Sequence, residues 1–359
     1  MPPTPPNTAN DAATTAREPG EAGPDLHAIR VGRTAMACRF ELVFNAGEHA
    51  DATPHAIAAL DLVDAIEARL TAYRDDSELA RINRSAYPGP CFVDDDLFSL
   101  LLQCRDLHAR TGGGFDIAVG SLLRTWGFHQ RRGHTPDPES LAAAIDRSGM
   151  RHVVLDEASR TVRFDREGVE LNLGAIGKGW AVDRAVELVA DRLGGGSFLV
   201  HGGQSSVRAV GSQASLSASG GWRVGLVHPL RPSLRLATLR LTNRAIGTSG
   251  SATQFFVDRG RRLGHILDPR RGAPAEGVLS ATVIAPTAAE ADSLATALYV
   301  LGPEGLATVA PRGGEVHAAV VVPARSAAAV RLLLANMPEE MLEIHGIHGD
   351  AAVERVEVV

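Results

Sequence analysis

Short, closely spaced strand patterns over residues 151–241 constrain the fold of this chain more than any other feature. Brief apolar runs recur there, separated by turn residues and interrupted by one helical segment. We expect strands over His152 to Leu155, Thr161 to Phe164, Val169 to Leu173, Ser197 to His201, Ser206 to Val210, Trp222 to Val227 and Leu234 to Leu241. The region lacks a regular strand–helix–strand alternation, and no G-x-G-x-x-G follows a strand. The pattern therefore predicts antiparallel sheet and gives no support to a Rossmann unit.

Helical patterns flank this region. Apolar residues at helical spacing predict helices from about Pro54 to Leu70 and from about Asp96 to Arg110, and an alternating run from Met36 to Phe44 predicts an earlier strand. A capping box at Thr287-Ala288-Ala289-Glu290 predicts a further helix that ends near Leu301. The sequence therefore predicts several helices together with antiparallel strands.

Composition excludes several classes of function. The chain has 359 residues, of which 45% are hydrophobic and 22% charged, and its formal net charge is −6, so it is a globular protein without a basic face for nucleic acid. Its cysteines, Cys38, Cys91 and Cys104, are odd in number and widely spaced. They predict neither a disulfide framework nor a zinc site.

The N-terminal residues differ in composition from the rest. Residues 1–26 are rich in Pro, Thr and Ala and predict a disordered tail, which leaves 27–359 as one domain. They contain no basic start followed by an apolar run of signal-peptide length, and no lipobox. We therefore expect a cytoplasmic protein as the sequence is written, without a transmembrane segment, and a periplasmic protein if the true start differs.

The chain contains a single lysine, Lys178, between two glycines, while its other 35 basic residues are arginine. A compact ammonium fits a narrow pocket that a wide guanidinium does not. The stretch is not a P-loop, because Asn172 and Gly179 stand where that motif needs Gly and Ser or Thr. We expect a strand, a glycine turn and a helix from about Gly179 to Leu193. This geometry directs N–H groups and the helix dipole at an anion, although an ordinary surface lysine is the alternative.

Three other positions have side chains suited to ligand chemistry. The loop Thr111-Gly112-Gly113-Gly114-Phe115-Asp116 presents either an exposed Phe–Asp pair to a ligand or a plain linker. Asp292 and Thr296, one helical turn apart, provide either half of a hard-cation site or a solvated hydrogen bond. His265, set between apolar residues and a turn, is the histidine with the best case for a shifted pKa.

In order along the chain, these segments resemble the ApbE-type FAD:protein FMN transferase family over roughly residues 33 to 310. Six motifs carry the resemblance together. They are Met36, Thr71-Ala72-Tyr73 with Ser77-Glu78-Leu79, Gly113-Gly114-Phe115-Asp116 with Trp126-Gly127-Phe128, Leu173 to Asp183 around Lys178, His265 to Arg270 preceded by Thr248-Ser249-Gly250, and Ala291 to Thr296.

The resemblance implies a T-fold-like α+β architecture, with antiparallel sheets packed against helices and an active site in a crevice between two subregions. Residues matching the family's FAD contacts are Met36, Tyr73, Gly114, Phe115, Asp116, Asn172, Lys178 and Leu267. Those matching its magnesium ligands are the carbonyl of Ala175, Asp292 and Thr296. Asn172 stands where the family usually has Asp, and Gln204 replaces an acidic residue, so both positions lose a negative charge.

The implied reaction moves FMN from FAD onto a Thr or Ser hydroxyl of an acceptor protein and releases AMP. The cation and Lys178 neutralise the diphosphate, and His265 is the expected base. Typical acceptors carry a Ser/Thr-Gly-Ala-Thr/Ser pattern. The same residues would also serve a pyrophosphatase that gives FMN and AMP, or a protein that stores FAD without turnover.

Overall fold

A computed structural model of the chain describes residues 28–130, 132–213, 220–250, 254–324, 329–345 and 351–355. The tail expected over residues 1–26 lies outside the described residues. The α-helices are α1 (Ala52–Leu70), α2 (Glu78–Ser85), α3 (Asp95–Arg110), α4 (Gly120–Thr125), α5 (Pro138–Asp146), α6 (Gly177–Leu193), α7 (Ala288–Leu301) and α8 (Leu306–Val309). In the part of the chain that is described, no helix combines the length and apolarity needed to cross a bilayer.

The strands are short and numerous, as the sequence pattern predicts. They are β1 (Ala28–Ala35), β2 (Cys38–Asn45), β3 (Cys91–Phe92), β4 (Val153–Asp156), β5 (Thr161–Phe164), β6 (Phe198–Gly202), β7 (Ser206–Val210), β8 (Trp222–His228), β9 (Arg231–Leu241), β10 (Ala245–Gly250), β11 (Phe255–Asp258), β12 (Arg261–Gly264), β13 (Leu267–Asp268), β14 (Ala273–Pro274), β15 (Ser280–Ala285), β16 (His317–Pro323), β17 (Val330–Ala335), β18 (Leu342–Ile344) and β19 (Ala351–Arg355).

One nine-stranded sheet organises these elements, in the order β1-β2-β6-β7-β10-β15-β16-β17-β19. Its neighbouring strands run antiparallel except for β17 and β19, which are parallel. Smaller antiparallel sheets are β18-β9-β8, β3-β5-β4, β11-β12 and β13-β14. The expected α+β fold with antiparallel sheets and packed helices is confirmed.

The large sheet is covered on both faces. In β6, Phe198 and Val200 belong to the main core, which also contains the apolar faces of α1, α6 and α7, whereas Leu199 belongs to a second core with residues of β8 and β9. Alternate residues of a strand point to opposite faces, so one short strand serves both cores. The molecule therefore has three layers, with the nine-stranded sheet in the middle.

The strand expected over Val169 to Leu173 does not form. The N–H of Leu171 donates to Asn83 Oδ1 at 2.8 Å, and Asn83 Nδ2 donates to the Leu171 carbonyl at 3.0 Å. The N–H of Asn172 donates to the Ile117 carbonyl at 2.7 Å. An asparagine side chain thus takes the place of a neighbouring strand, which satisfies the extended backbone without a ladder.

The strand expected from Met36 begins at Cys38 instead. Met36 and Ala37 have φ values of 49° and 58° and form the turn between β1 and β2. Apolar side chains in this left-handed region are uncommon, and alternation in the sequence does not signal them. The antiparallel pairing of β1 with β2 sets Met36 at the tip of a hairpin.

The capping box at the start of α7 forms only in part. Thr287 Oγ1 accepts a hydrogen bond from the N–H of Glu290 at 3.2 Å. The Glu290 carboxylate pairs with Arg110 at 2.6 Å rather than returning to the cap residue. The helix begins where the sequence predicts, and its acidic residue ties α7 to the end of α3.

Candidate active site

The turn before Lys178 is held by local hydrogen bonds. Asn172 Oδ1 accepts from the N–H of Gly174 at 2.9 Å, and the carbonyl of Leu173 accepts from the N–H of Gly177 at 2.7 Å. These bonds start α6 at Gly177, two residues earlier than the sequence pattern indicates. The oxygen of Asn172 is therefore occupied in shaping the turn.

Lys178 is the second residue of α6, and its side chain is half-buried. Among the described residues, no carboxylate lies within ion-pair distance of its ammonium. The first N–H groups of a helix also lack intrahelical partners and carry the positive end of the helix dipole. An unpaired ammonium beside such a helix start is suited to an anion, and the role of Lys178 stays a prediction.

Two glycines bring α7 close to this helix start. A Cβ atom on Gly179 would lie 2.1 Å from the carbonyl oxygen of Ala288, and one on Gly247 of β10 would lie 2.5 Å from the nitrogen of Asp292. Real Cβ atoms do not approach this closely, so both positions require glycine. The contact places Asp292 directly against the first turn of α6.

Asp292 is a buried carboxylate held by neutral donors. Ser206 Oγ lies 2.8 and 2.6 Å from its two oxygens, and the N–H of Gly179 is a further donor. Burial raises the pKa of Asp292 to about 6, against the opposing effects of the Lys178 charge and the Ser206 hydrogen bond. Ser206 is a member of the site that the sequence analysis missed, because only the pairing of β7 with β10 brings it near α7.

Thr296 lies one turn beyond Asp292, as the spacing predicts. Its hydroxyl donates to the Asp292 carbonyl oxygen at 3.1 Å and lies 3.0 Å from Ser249 Oγ of β10. Because the Thr296 proton is engaged, the hydroxyl of Ser249 is the donor in the second contact. One lone pair on Thr296 Oγ1 remains available to a ligand.

Lys178, Ser206, Asp292 and Thr296 together form a charged corner, and its oxygen atoms suit a hard cation. Among the described residues, no cationic side chain lies within ion-pair distance of Asp292. Burial of its negative charge is unfavourable, and this raises the pKa of Asp292. Within the described ranges, no group of three or more His, Cys, Asp or Glu side chains could hold a metal. A cation here would depend on one carboxylate, neutral oxygens, water and the oxygens of a substrate, which is how magnesium is usually bound.

Asp183 connects the elements that form the corner. It is a buried residue of α6 that pairs with Arg208 of β7 at 2.7 Å. Its other contacts are with the start of α7, where the N–H groups of Ala288 and Ala289 each donate to it at 2.9 Å. The side chain caps α7 and fixes α6 and β7 at the same point.

His265 follows β12 directly and is oriented by its own neighbourhood. Its Nδ1 lies 3.1 Å from the carbonyl oxygen of Gln254, and the Phe128 ring meets it edge-on with 6.5 Å between centroids. A carbonyl only accepts, so Nδ1 carries the proton and Nε2 keeps a lone pair. Burial, with a smaller effect from the Lys178 charge, lowers the pKa of His265. The imidazole is therefore a neutral base near pH 7.

Cys38 is a second residue at the site that the sequence analysis missed. The charges of Lys178, Glu67 and Asp292 all act on its thiol, which places it beside the corner, and burial raises its pKa. All three cysteines are unpaired, and Cys91 and Cys104 are buried. The expectation of separate thiols without a disulfide agrees with the structure, and Cys38 is partly buried and packs against the main core.

Met36 is partly buried and Tyr73 is exposed. The N–H of Met36 donates to Glu67 Oε2 at 2.6 Å. The Tyr73 side chain is 65% exposed and stacks on His129, with centroids 4.7 Å apart and planes inclined by 28°. One face of a largely exposed aromatic ring remains available for a planar ligand.

The expectation of an exposed Phe–Asp pair on the glycine loop is wrong. Phe115 is 1% exposed and belongs to the main core, and Gly114 packs so closely on Leu301 that a Cβ atom would lie 2.8 Å from its Cγ. The Asp116 carboxylate accepts from the N–H groups of Ala118 and Met150 at 2.7 and 3.0 Å. Together these contacts fix the loop within the fold and leave the Phe115 ring buried.

Leu267 is also buried. Its side chain belongs to a small apolar cluster with Trp126, Phe128 and Leu263. Only its main chain is therefore suited to contact a bound molecule. The cluster supports the strand that leads into His265.

The fold and the arrangement of Lys178, Asp292 and Thr296 define a class of α+β proteins. Comparison with known proteins identifies the family within this class. The model of the ApbE family matches residues 36–320, so the chain belongs to the ApbE family. The resemblance read from the six motifs is thereby confirmed.

Relatives and solved structures agree with this assignment. The FAD:protein FMN transferase of Salmonella typhimurium is 34% identical over 259 residues, covering 70% of this chain and 72% of the relative. That of Treponema pallidum is 34% identical over 253 residues, covering 66% and 68%. The crystal structure of the ApbE protein from Thermotoga maritima superposes with a TM-score of 0.75 at 28% identity, covering 82% of this chain and 94% of that one.

Proposed function

We propose that this protein is a magnesium-dependent FAD:protein FMN transferase. One observation carries the proposal: the charge of Lys178 acts on both Asp292 and His265, so a cation, a carboxylate and a neutral base meet at one corner. The relatives compared above bear the name of this activity. A diphosphate ester needs this combination of positive charge and a base.

The corner would bind the diphosphate of FAD. Lys178 and the first N–H groups of α6 attract its negative charge. Magnesium would be held by Asp292, Thr296 and the Ala175 carbonyl, and when bound it would withdraw charge from the phosphorus next to riboflavin. The isoalloxazine ring would lie at the rim, between Met36 and the open face of Tyr73.

The transfer step then requires one proton acceptor. The hydroxyl of an acceptor Thr or Ser gives its proton to Nε2 of His265, while its oxygen forms a bond to the phosphorus on the riboflavin side. The bond from that phosphorus to the bridging oxygen breaks, and AMP leaves with this oxygen. The product is a phosphoester between FMN and the acceptor, for which we propose a Ser/Thr-Gly-Ala-Thr/Ser segment.

The experiment is to incubate the protein with FAD, magnesium and a peptide with this segment, and to follow the peptide by mass spectrometry and AMP by chromatography. We expect a peptide–FMN adduct together with an equal amount of AMP. A peptide with Ala at the acceptor position is the control. Release of free FMN and AMP without an adduct would identify a pyrophosphatase, and bound but unchanged FAD would identify a storage protein.

A further inference from the structure

A cleft of about 340 Å³ lies beside the β11–β12 hairpin, outside the corner described above. Trp126 and Leu263 form its apolar wall, and its charged groups come from the hairpin and from the segment around β14. The lining carries three guanidinium groups and two carboxylates, which gives one excess positive charge. The reaction proposed above assigns no task to this cleft.

Two of the arginines in the cleft have no partner among the described residues. Arg261 pairs with Glu276 at 2.8 Å, and Asp258 accepts from Thr135 Oγ1 at 2.7 Å. The guanidinium groups of Arg259 and Arg271, by contrast, form no ion pair or hydrogen bond within the part of the chain that is described. Elsewhere near the site arginines are paired, as Arg208 is with Asp183. Unpaired guanidinium groups around a cleft suit a carboxylate, which they bind through two parallel hydrogen bonds.

The cleft is adjacent to the proposed base. Leu263, in its wall, precedes His265 by two residues, or about 7 Å along an extended chain. Trp126, also in the wall, is fixed by a 2.8 Å hydrogen bond from Nε1 to the Gly272 carbonyl and packs in the same cluster as Phe128. An extended peptide whose hydroxyl lies at His265 can therefore reach the cleft with a side chain a few residues away.

We propose that this arginine cleft binds an acidic side chain of the acceptor protein close to its Thr or Ser. The inference rests on the proposed function, because it needs the acceptor hydroxyl at His265. The cleft would set the register of the acceptor segment and favour acidic over basic sequences. Since the arginines are exposed, salt should weaken this preference.

The test uses three peptides with the same Thr-Gly-Ala-Thr segment that carry Glu, Gln or Lys immediately before the segment. Their transfer kinetics are measured on the wild type and on the double variant Arg259→Glu, Arg271→Glu. We expect the wild type to have the lowest KM for the Glu peptide and a KM roughly tenfold higher for the Lys peptide. In the double variant the Lys peptide should become the better substrate.

Two measurements separate the possible failures. Arg312→Glu changes an exposed arginine without a partner among the described residues, on the loop between α8 and β16, and should keep the wild-type order of peptides. FAD affinity, measured by flavin fluorescence, should be the same in the double variant, whereas a large loss would show that the cleft binds FAD phosphate and overturn the proposal. Equal KM values for the three peptides would overturn it as well.

Peptide binding is also measured directly, by fluorescence anisotropy of labelled peptides in the presence of FAD. If no peptide is flavinylated but the Glu peptide binds best, and the double variant reverses this order, the cleft assignment stands and the transfer reaction is wrong. If transfer occurs with equal binding of all three peptides, the transfer reaction stands and the cleft assignment is wrong.

Discussion

Two parts of the site are built in opposite ways. The charged corner, formed by Lys178, Ser206, Asp292 and Thr296, is fixed by close helix contacts and by hydrogen bonds from three different elements. The proposed aromatic rim, formed by Met36, Tyr73 and His129, lies on two turns and a short 3-10 helix (Phe128–Gln130), and its tyrosine is 65% exposed.

The difference follows from what each part has to stabilise. A buried charge is costly unless its partners are already in place, so the charged corner tolerates little movement. A planar ring gains from apolar contact and stacking, which depend less on direction, so the aromatic rim can be mobile. Substitutions in the corner should therefore have large effects, and those in the rim small ones.

The largest effect is expected for Asp292→Ala. Without this carboxylate the corner loses the only charged ligand assigned to the cation, so transfer should fall about a thousandfold and FAD affinity should become nearly independent of magnesium. Thr296→Val should cause a milder loss, and Thr296→Ser should be close to wild type. Thermal unfolding confirms that each variant is folded, and normal magnesium-dependent transfer by Asp292→Ala would disprove the cation site.

Gly179→Ala should damage the corner through packing alone. Its Cβ atom would lie 2.1 Å from the Ala288 carbonyl, so α7 must move away from α6. We expect the free energy of unfolding to fall by about 3 kcal/mol in urea denaturation. Gly177→Ala, two residues earlier, is the matched control, because its nearest neighbours would be 3.8 and 4.0 Å away. Equal stability of the two variants would contradict the close helix contact.

Lys178→Arg keeps the positive charge but changes its shape. The guanidinium is wider than the ammonium and distributes its charge over a plane, so we expect transfer to fall roughly 30-fold while the fold is kept. Steady-state kinetics at saturating FAD and magnesium measure this. Turnover equal to that of the wild type would show that Lys178 is only a surface charge.

The pH profile reports on His265. Burial lowers the pKa of His265 from the usual value of 6.5, so its base form persists to more acidic pH. At saturating magnesium, which would keep the Asp292 carboxylate ionised, we therefore expect kcat/KM to be constant near neutral pH and to fall about tenfold per unit only below the lowered pKa of His265. Because the acid limb belongs to a base, activity is lost as pH falls. A midpoint at or above 6.5 would assign the limb to another group.

The smallest effect is expected at the aromatic rim. Tyr73→Ala should weaken FAD binding about fivefold, the loss of one stacking contact, and leave the free energy of unfolding unchanged because the ring is exposed. Tyr73→Phe keeps the ring and is the control. Fluorescence titration with FAD measures both variants, and a loss as large as that of Asp292→Ala would remove the distinction between the two parts.

Sequence reasoning succeeded where local chemistry decides the structure. The first turn of α7 is set by Thr287, whose side chain accepts from Glu290, and the spacing of Asp292 and Thr296 follows from the same helix. The turn and helix around Lys178 are likewise predicted, because the glycines that shape them are adjacent in the chain. These features need no knowledge of tertiary contacts.

Sequence reasoning failed where the contacts of a residue come from residues far away along the chain. Phe115 follows three glycines and looks exposed, but the Asp116 carboxylate and the contact with Leu301 draw the loop into the core. Ser206 and Cys38 stand on different strands, and only the sheet order brings them to Asp292. No sequence pattern announces such pairs, because their separation along the chain is set by the whole topology.

The contacts of Asp183 restrict which substitutions can be accepted at this position. One carboxylate caps α7, pairs with Arg208 and belongs to the helix of Lys178, so three chain segments depend on it together. A change at this position would need a compensating change at Arg208 and a new cap for α7 in the same lineage. Positions 183 and 208 are therefore expected to vary together among descendants of this chain, or not at all.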